Sequence, residues 1–248
     1  MDLTDFFIEN PKVALGLSGG VDSAYLLYAG KKGGADVGAF FIKTMFQPAF
    51  ELEDARRLCQ ELGVELHVVE EDILSQEMVR INPPDRCYWC KQKLFSALKK
   101  AAAALGYPVV IDGTNASDSA EDRPGMRALG ELSVRSPLRE CGLTKDQVRA
   151  LSKEAGLFTW NKPAYACLAT RIPTGRWISP EELSKVEQAE TFLSGLGFAD
   201  FRVRVFHGSA RIQVREEQFD MALEKRRDIL ARLGELFPAV LLDLQPRG

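Results

Sequence analysis

Ser18-Gly19-Gly20-Val21-Asp22-Ser23 is the stretch of sequence that decides the fold. It follows a short apolar run, 12–17 (KVALGL), that predicts a buried strand, and it leads into 21–31, whose apolar spacing predicts a helix. Glycines at such a turn let backbone N–H groups close around an anion, and the positive end of the helix adds to the attraction. Ser18 and Ser23 supply hydroxyl donors, so the stretch predicts a phosphate-binding loop.

Asp22 gives this loop its particular chemistry. A carboxylate next to bare phosphate is repulsive, so we expect Asp22 to bind Mg²⁺ that bridges the phosphates. The stretch has neither the G-x-x-x-x-G-K-[ST] pattern of the P-loop nor the G-x-G-x-x-G pattern of dinucleotide-binding folds. It is similar instead to the PP-loop of the ATP pyrophosphatases, which bind ATP and release pyrophosphate. The alternative interpretation is an ordinary tight turn between a strand and a helix.

Strands and helices alternate along the first two thirds of the chain. Further strands are predicted over 35–44, 64–69 and 108–112, and further helices over 48–62, 88–105 and 144–155, with Thr144 as an N-cap. This alternation predicts βαβ units, and therefore an α/β fold with a Rossmann-like parallel sheet.

Two other predicted strand ends carry residues that suit a nucleotide. In open α/β sheets, ligands bind beyond the carboxyl ends of the strands. Lys43 follows one strand, and Gly113 and Thr114 follow another. We expect these three residues to contact ATP, with Gly113 letting the backbone approach a flat ring. Lys43 can equally be a solvated lysine, and Thr114 can be a turn residue.

The pattern changes after Arg171, where Pro173, Gly175 and Pro180 interrupt the chain. Beyond them the sequence predicts a helix over 180–196, strands over 201–206 and 210–214, a helix over 216–233 and a strand over 239–244. We therefore predict two domains, a PP-loop domain over 1–172 and a small α+β domain over 173–248.

Composition and charge exclude several classes of protein. Hydrophobic residues make up 46% and charged residues 27% of 248 residues, which is ordinary for a globular chain. The net charge of -3 argues against an obligate nucleic-acid binder, which usually carries a basic excess. The sequence has no apolar run long enough to span a membrane and an acidic start unlike a signal peptide, so we expect a cytoplasmic protein with no membrane partner.

Three of the five cysteines are candidates for chemistry. Cys87 and Cys90 form a C-x-x-C at a predicted helix start, where one turn brings both sulfurs to one side and the helix end favours the thiolate. Cys167 lies in a proline-flanked loop. Cys59 is expected in the core and Cys141 in a loop. A zinc site would need a fourth ligand, and neither histidine suggests one.

Seven stretches together make a closer resemblance. They are SGGVDS (18–23), PPDRCYWCK (83–91), DGTNASD (112–118), RPGMRAL (123–129), SPLRE (136–140), WNKPAYACLATRIPTG (160–175) and RVRVFHGSARI (202–212). They resemble the LarE family of ATP-dependent sulfur transferases, which build the nickel-pincer nucleotide cofactor of lactate racemase. The matches run from residue 13 to about 215, and the stretches around Cys167 and after Arg202 are the most specific.

The resemblance implies a defined reaction. The substrate would be pyridinium-3,5-biscarboxylic acid mononucleotide, ATP would adenylate its carboxylates, and sulfur would displace AMP. Some family members resemble enzymes that sacrifice one cysteine, and others resemble iron–sulfur enzymes with three. Because this chain has three candidates, we expect Cys87, Cys90 and Cys167 to hold a 4Fe-4S cluster that delivers sulfur from its open iron. The alternatives are a sacrificial Cys167 and cysteines with an unrelated role.

Residues of the second half are candidates for binding the substrate. Arg202 and Arg204 share one face of a predicted strand, where two guanidinium groups would suit a phosphate or a carboxylate; a solvated strand face is the alternative. Glu190 and Asp220 fall where the family has acidic residues near the substrate or a metal. Asp118, Arg123 and Arg135 are weaker candidates.

Three other functions compete with this interpretation. A cluster-dependent tRNA thiolase shares the loop and the cysteine pattern, but it needs a basic surface. Amide synthesis on the same fold, as in NAD synthetase, leaves the cysteines unexplained. A module that only senses ATP would bind nucleotide without releasing pyrophosphate. We further expect a homo-oligomer, between a dimer and a hexamer.

Overall fold

The computed structural model describes residues 2–118 and 124–247. The described chain divides into two compact units. The first contains the residues up to Val79 together with Asp85–Lys162, and the second contains Arg80–Pro84 and the residues from Pro163 onward. No helix of the described part is both long and apolar enough to cross a membrane.

The division differs from the predicted boundary at residue 172 in two segments. Residues 163–172 belong to the second unit because Arg171, within them, is buried in an ion pair with Glu190. The short segment 80–84 also belongs there, since the Asn82 side chain donates to the carbonyl of Pro173 at 2.8 Å. Neither contact leaves a mark in the local sequence pattern, because each joins residues far apart in the chain.

The sheet of the first unit is parallel throughout, and it confirms the predicted α/β fold. Its strands are β1 (Lys12–Gly16), β2 (Asp36–Lys43), β3 (Leu66–Glu70) and β4 (Val109–Ile111). They are ordered β3-β2-β1-β4. The chain moves from β1 to β2 on one side and returns to β4 on the other, so the carboxyl end of β1 lies where the strand order reverses. Ligands bind at such points in doubly wound sheets.

Helices cover both faces of this sheet. The helices of the chain up to Glu154 are α1 (Leu3–Glu9), α2 (Val21–Lys32), α3 (Ala49–Leu62), α4 (Glu77–Arg80), α5 (Arg86–Ala104), α6 (Pro124–Glu131), α7 (Pro137–Glu140) and α8 (Lys145–Glu154). Alternate side chains of β1 enter two separate cores: Val13 and Leu15 pack with α1, α2, α3 and α8, whereas Ala14 packs with α5 and α6. Thr144 forms the predicted N-cap of α8, in a capping box with Gln147.

The second unit is a three-stranded sheet with helices. Its elements are α9 (Pro180–Gly195), β5 (Arg202–Phe206), β6 (Ser209–Gln213), α10 (Phe219–Glu224), α11 (Arg226–Leu233) and β7 (Val240–Leu242). β5 and β6 form an antiparallel hairpin, and β7 pairs parallel to β6. The prediction of a single helix over 216–233 is wrong, because the helical segment breaks at Lys225, which takes φ −84° and ψ 4°. The charged run 224–228 (EKRRD) offers no apolar side chain to hold a continuous helix on the sheet.

Candidate functional site

The loop 18–23 lies between the end of β1 and the start of α2. Gly19 has φ +71°, and a Cβ there would lie 2.8 Å from the carbonyl oxygen of Glu51, so only glycine fits. Gly20 is the N-cap of α2, and no described side chain caps this helix. The N-terminal amides of α2 are therefore available to an anion such as phosphate.

Two serine hydroxyls close the loop on itself. Ser18 Oγ lies 3.1 Å from Ser23 Oγ, and Ser23 Oγ donates to the carbonyl of Gly20 at 3.3 Å. Ser23 is buried, whereas Ser18 is exposed. A phosphate can reach the hydroxyl of Ser18, and Ser23 mainly fixes the shape of the loop.

Asp22, in the first turn of α2, has one oxygen paired and one unpaired. Lys145 Nζ donates to Oδ2 at 2.5 Å. Oδ1 is buried and makes no hydrogen bond of good geometry with a described residue, although the Asn115 side chain lies close enough to lower the pKa of Asp22. Burial raises the pKa of this carboxyl group above its ordinary value, against the opposing effect of Lys145. A buried carboxylate oxygen without a well-placed donor, beside a phosphate-binding loop, fits a ligand of Mg²⁺.

The polar residues at the other strand ends make contacts within their own loops. Lys43 Nζ donates to the carbonyl of Gln47 at 2.5 Å. Thr114 Oγ1 donates to Asp112 at 2.6 Å, and Asp112 also accepts from Ser136 at 2.6 Å. These contacts match the turn-forming alternative for Thr114. Binding of a nucleotide by Lys43 or Thr114 stays a prediction.

Gly113 brings the end of β4 against the phosphate-binding loop. A Cβ on Gly113 would lie 2.8 Å from the backbone nitrogen of Ser23. The close approach that glycine allows here is to the backbone of α2, and the approach of a flat ring to Gly113 stays a prediction. Gly113 sets the distance between the two loops at this edge of the sheet.

Lys162 also contacts the loop 18–23, and the sequence did not suggest this contact. Its Nζ donates to the carbonyl of Gly19 at 2.9 Å and to Asp54 at 2.5 Å. The contact orients the peptide that follows Gly19. Lys162 belongs to the stretch around Cys167 that carries the family resemblance, and this was the one signal that could have singled it out.

The cysteines occupy both units. Cys87 is exposed and Cys90 half-buried in the first turns of α5, in the first unit; Cys167 is half-buried at the start of a 3₁₀ helix, Leu168–Arg171, in the second. The i, i+3 spacing puts Cys87 and Cys90 on one side of α5, and thiolates are the donors that an iron–sulfur cluster needs. The described residues contain no group of three or more His, Cys, Asp or Glu side chains placed to hold a metal ion. Cys59 is buried in the core, as predicted.

An open cavity of about 910 Å³ lies in the second unit. Its lining includes five basic side chains, namely Arg171, Arg176, Arg204, Arg211 and His207. Arg204 donates to two neutral acceptors, Gln213 at 2.7 Å and the carbonyl of Thr170 at 2.6 Å. Because neither partner neutralises its charge, Arg204 is the arginine of this lining whose charge is most available to an anion.

Glu190 and Arg202 belong to a buried network rather than to the cavity lining. Glu190 accepts hydrogen bonds from Arg171 at 2.9 Å, from Tyr165 at 2.5 Å and from the backbone N–H of Val203 at 2.9 Å. Arg202 donates to the carbonyl of Ala164 at 2.6 Å, and burial and the nearby arginines lower its pKa to about 10. These two residues therefore position Arg171 and the strand that carries Arg204.

The remaining candidates have less distinctive surroundings. Asp220 is exposed in the first turn of α10. Asp118 accepts a hydrogen bond from the backbone of Asn115 at 3.1 Å. Arg135 forms an ion pair with Glu140, which explains its position without a ligand. Arg123 lies outside the described residues.

The sheet order and the phosphate-binding loop define the class of protein, a Rossmann-like α/β domain of the PP-loop type. A family model described as the tRNA methyl transferase HUP domain matches residues 11–127. The tRNA-specific 2-thiouridylase MnmA of Clostridium acetobutylicum is 27% identical over 62% of this chain and 54% of its own length.

The relatives that match almost the whole chain include the following two. An uncharacterized protein of Synechocystis is 36% identical over 98% of this chain and 92% of its own length. The pyridinium-3,5-bisthiocarboxylic acid mononucleotide synthase of Lactiplantibacillus plantarum is 34% identical over 94% of this chain and 86% of its own length. The chain belongs to the family of this synthase, the LarE family, and it is an ATP-dependent sulfurtransferase.

Proposed function

We propose that this enzyme uses ATP to convert the carboxylates of pyridinium-3,5-biscarboxylic acid mononucleotide to thiocarboxylates, in the synthesis of the nickel-pincer nucleotide cofactor. The observation that carries the proposal is the phosphate-binding loop, with its buried and half-paired Asp22, in a chain related along almost its full length to a synthase of that product.

The first step is adenylation. A carboxylate oxygen of the substrate attacks the α-phosphorus of ATP, a C–O–P linkage forms, and the bond to the β-phosphate breaks to release pyrophosphate. The amides at the start of α2 and the Ser18 hydroxyl bind phosphate oxygens, while Asp22 binds Mg²⁺. The bound Mg²⁺ would offset the negative charge of the phosphates. In the second step sulfur attacks the activated carbon, a C–S bond forms and AMP leaves.

The cavity in the second unit suits the anionic groups of the substrate. Arg204 and the neighbouring arginines of the lining attract phosphate and carboxylate through charge-assisted hydrogen bonds. Glu190 and Arg202 act as positioning residues behind this surface, because their own polar groups are used within the network. For Asp220 we keep the prediction of a substrate or metal contact, on the family resemblance alone.

The proposed source of sulfur is a 4Fe-4S cluster held by Cys87, Cys90 and Cys167. Held by these three thiolates, such a cluster would supply the sulfide that is transferred. The exposure of Cys87 and the half-exposure of Cys90 and Cys167 leave all three thiols accessible. The competing source is the sulfur atom of Cys167 itself, which would leave dehydroalanine after one transfer.

Alanine variants of the three cysteines test this source. We expect each to lose bound iron and thiocarboxylate formation while retaining pyrophosphate release, because the phosphate-binding loop is a separate element. Cys141→Ala is the matched control, since Cys141 is also half-buried but outside the set. If only Cys167→Ala is inactive, and the wild type gains dehydroalanine at position 167 during turnover, the cluster is refuted and the sacrificial source is correct.

A further inference from the structure

Lys145 occupies a position that ordinary helix electrostatics disfavours. It is the first residue of α8, and the N-terminal end of a helix carries partial positive charge that repels a cation. Its ammonium group turns away to Asp22, 2.5 Å away and 123 residues earlier in the chain. The pair is only partly exposed, with side-chain exposures of 31% and 20%. The side chain is therefore held by Asp22 and not by its own helix.

The backbone at Lys145 is fixed independently of this ion pair. The Lys145 N–H donates to Ser117 Oγ at 3.0 Å, and Thr144 and Gln147 form the capping box that starts α8. Releasing the ammonium from Asp22 would thus leave the helix in place. Only the flexible side chain would need to move.

The ammonium does not fully satisfy the carboxylate that it contacts. Oδ1 of Asp22 makes no hydrogen bond of good geometry with a described residue. The Asn115 side chain and Asp118 also lie near this carboxyl group, with opposite effects on its pKa. A buried ionised oxygen that lacks a well-placed donor is costly. A divalent cation would satisfy this site better than one ammonium group.

We propose that Lys145 is an exchangeable counter-ion: it neutralises Asp22 in the enzyme without nucleotide and is displaced when a divalent cation binds Asp22. The displaced ammonium then needs another anion, and the phosphates bound at the start of α2 supply one. Metal alone must compete with Lys145 and binds weakly, whereas metal and nucleotide together bind well. This inference rests on the proposed role of Asp22 as a metal ligand.

Binding of Mn²⁺ without nucleotide tests the exchange, and the electron paramagnetic resonance signal of free Mn²⁺ reports it independently of activity. We expect Lys145→Met to bind Mn²⁺ at least tenfold more tightly than the wild type, and Lys145→Gln to do the same. Lys93→Met is the matched control, because Lys93 forms a similarly half-buried ion pair, with Glu71 at 3.1 Å, that does not include Asp22. This control should leave the Mn²⁺ affinity unchanged.

The double variant Asp22→Asn/Lys145→Met separates the two hypotheses. It should lose the tight binding of Lys145→Met, because the liberated carboxylate is gone. If it still binds Mn²⁺ tightly, Asp22 is not the ligand and that part of the proposed function fails. If Lys145→Met and Lys145→Gln are folded by circular dichroism and bind Mn²⁺ no better than the wild type, Lys145 is a structural ion-pair partner and the exchange is refuted.

Discussion

Single glycines decide how closely the loops approach each other at the carboxyl edge of the sheet. Gly19 must be glycine because of both its positive φ and the Glu51 carbonyl beside it. Gly113 must be glycine because of the Ser23 backbone alone. The contact at Gly113 therefore offers a test of the loop geometry that involves no charged group.

Gly113→Ala should weaken ATP binding and destabilise the first unit. The added Cβ would lie 2.8 Å from the nitrogen of Ser23, and backbone cannot yield as a flexible side chain does. Overpacking of this kind costs about 1–3 kcal/mol. Thermal unfolding and the KM for ATP measure the two effects. Gly130→Ala is the control: it has open space around it and lies in α6, so it should leave both quantities unchanged or raise stability slightly. Equal behaviour of the two variants would contradict the proposed contact.

The buried thiol of Cys59 should make stability depend on pH in the alkaline range. Burial raises the pKa of Cys59 to about 11, from an ordinary value of 9.0. Between these values the unfolded chain loses the proton and the folded chain keeps it, so the free energy of unfolding falls as the pH rises from about 9 to 11. The loss should approach about 2 kcal/mol.

Urea unfolding of the wild type and of Cys59→Val at several pH values measures this effect. The free energy of unfolding of the wild type, taken relative to that of the variant, should fall steadily above pH 9. A difference between the two proteins that stays constant across this range would show that the thiol titrates normally in the folded state.

At the scale of elements, the loop 18–23 is held by contacts with side chains from segments that are distant in sequence. α8 supplies Lys145 to Asp22, and Lys162 joins the carbonyl of Gly19 to Asp54 on α3. The strand, the glycine turn and the start of α2 were predictable because they are adjacent in the chain and follow periodic rules. Lys145 and Lys162 were not predictable, because only the packed fold brings them to the loop.

Lys162→Met should raise the KM for ATP about tenfold or more while changing kcat less. Losing a hydrogen bond from a charged donor costs about 1.5–3 kcal/mol, and here the loss would loosen the peptide that follows Gly19. Steady-state pyrophosphate release at varied ATP concentration gives both constants. Lys31→Met, on the exposed surface of α2, is the control for removing one charge. An unchanged KM in Lys162→Met would show that the loop keeps its shape without this contact.

At the scale of the molecule, the second unit exposes several large apolar side chains. Leu230 and Leu244 have exposures of 54% and 84%, and Leu223 and Leu241 are also exposed. A contiguous patch of such side chains would be typical of a surface that binds other proteins. The exposed leucines are therefore the part of the chain on which the expected homo-oligomer would depend.

Light scattering after size-exclusion chromatography tests this expectation. We predict a mass of a dimer or a larger oligomer for the wild type and a smaller mass for Leu230→Asp. Leu105→Asp, at a half-exposed leucine of the first unit, serves as the control and should keep the wild-type mass. A monomeric wild type would contradict the prediction.

Pyrophosphate release tests the central claim most directly, when it is measured together with the mass of the nucleotide product. We predict that release requires pyridinium-3,5-biscarboxylic acid mononucleotide, that Asp22→Ala abolishes it, and that each turnover replaces one carboxylate oxygen of the substrate by sulfur. A rate of pyrophosphate release that does not change with this substrate and increases with tRNA would contradict the account and identify a tRNA thiolase.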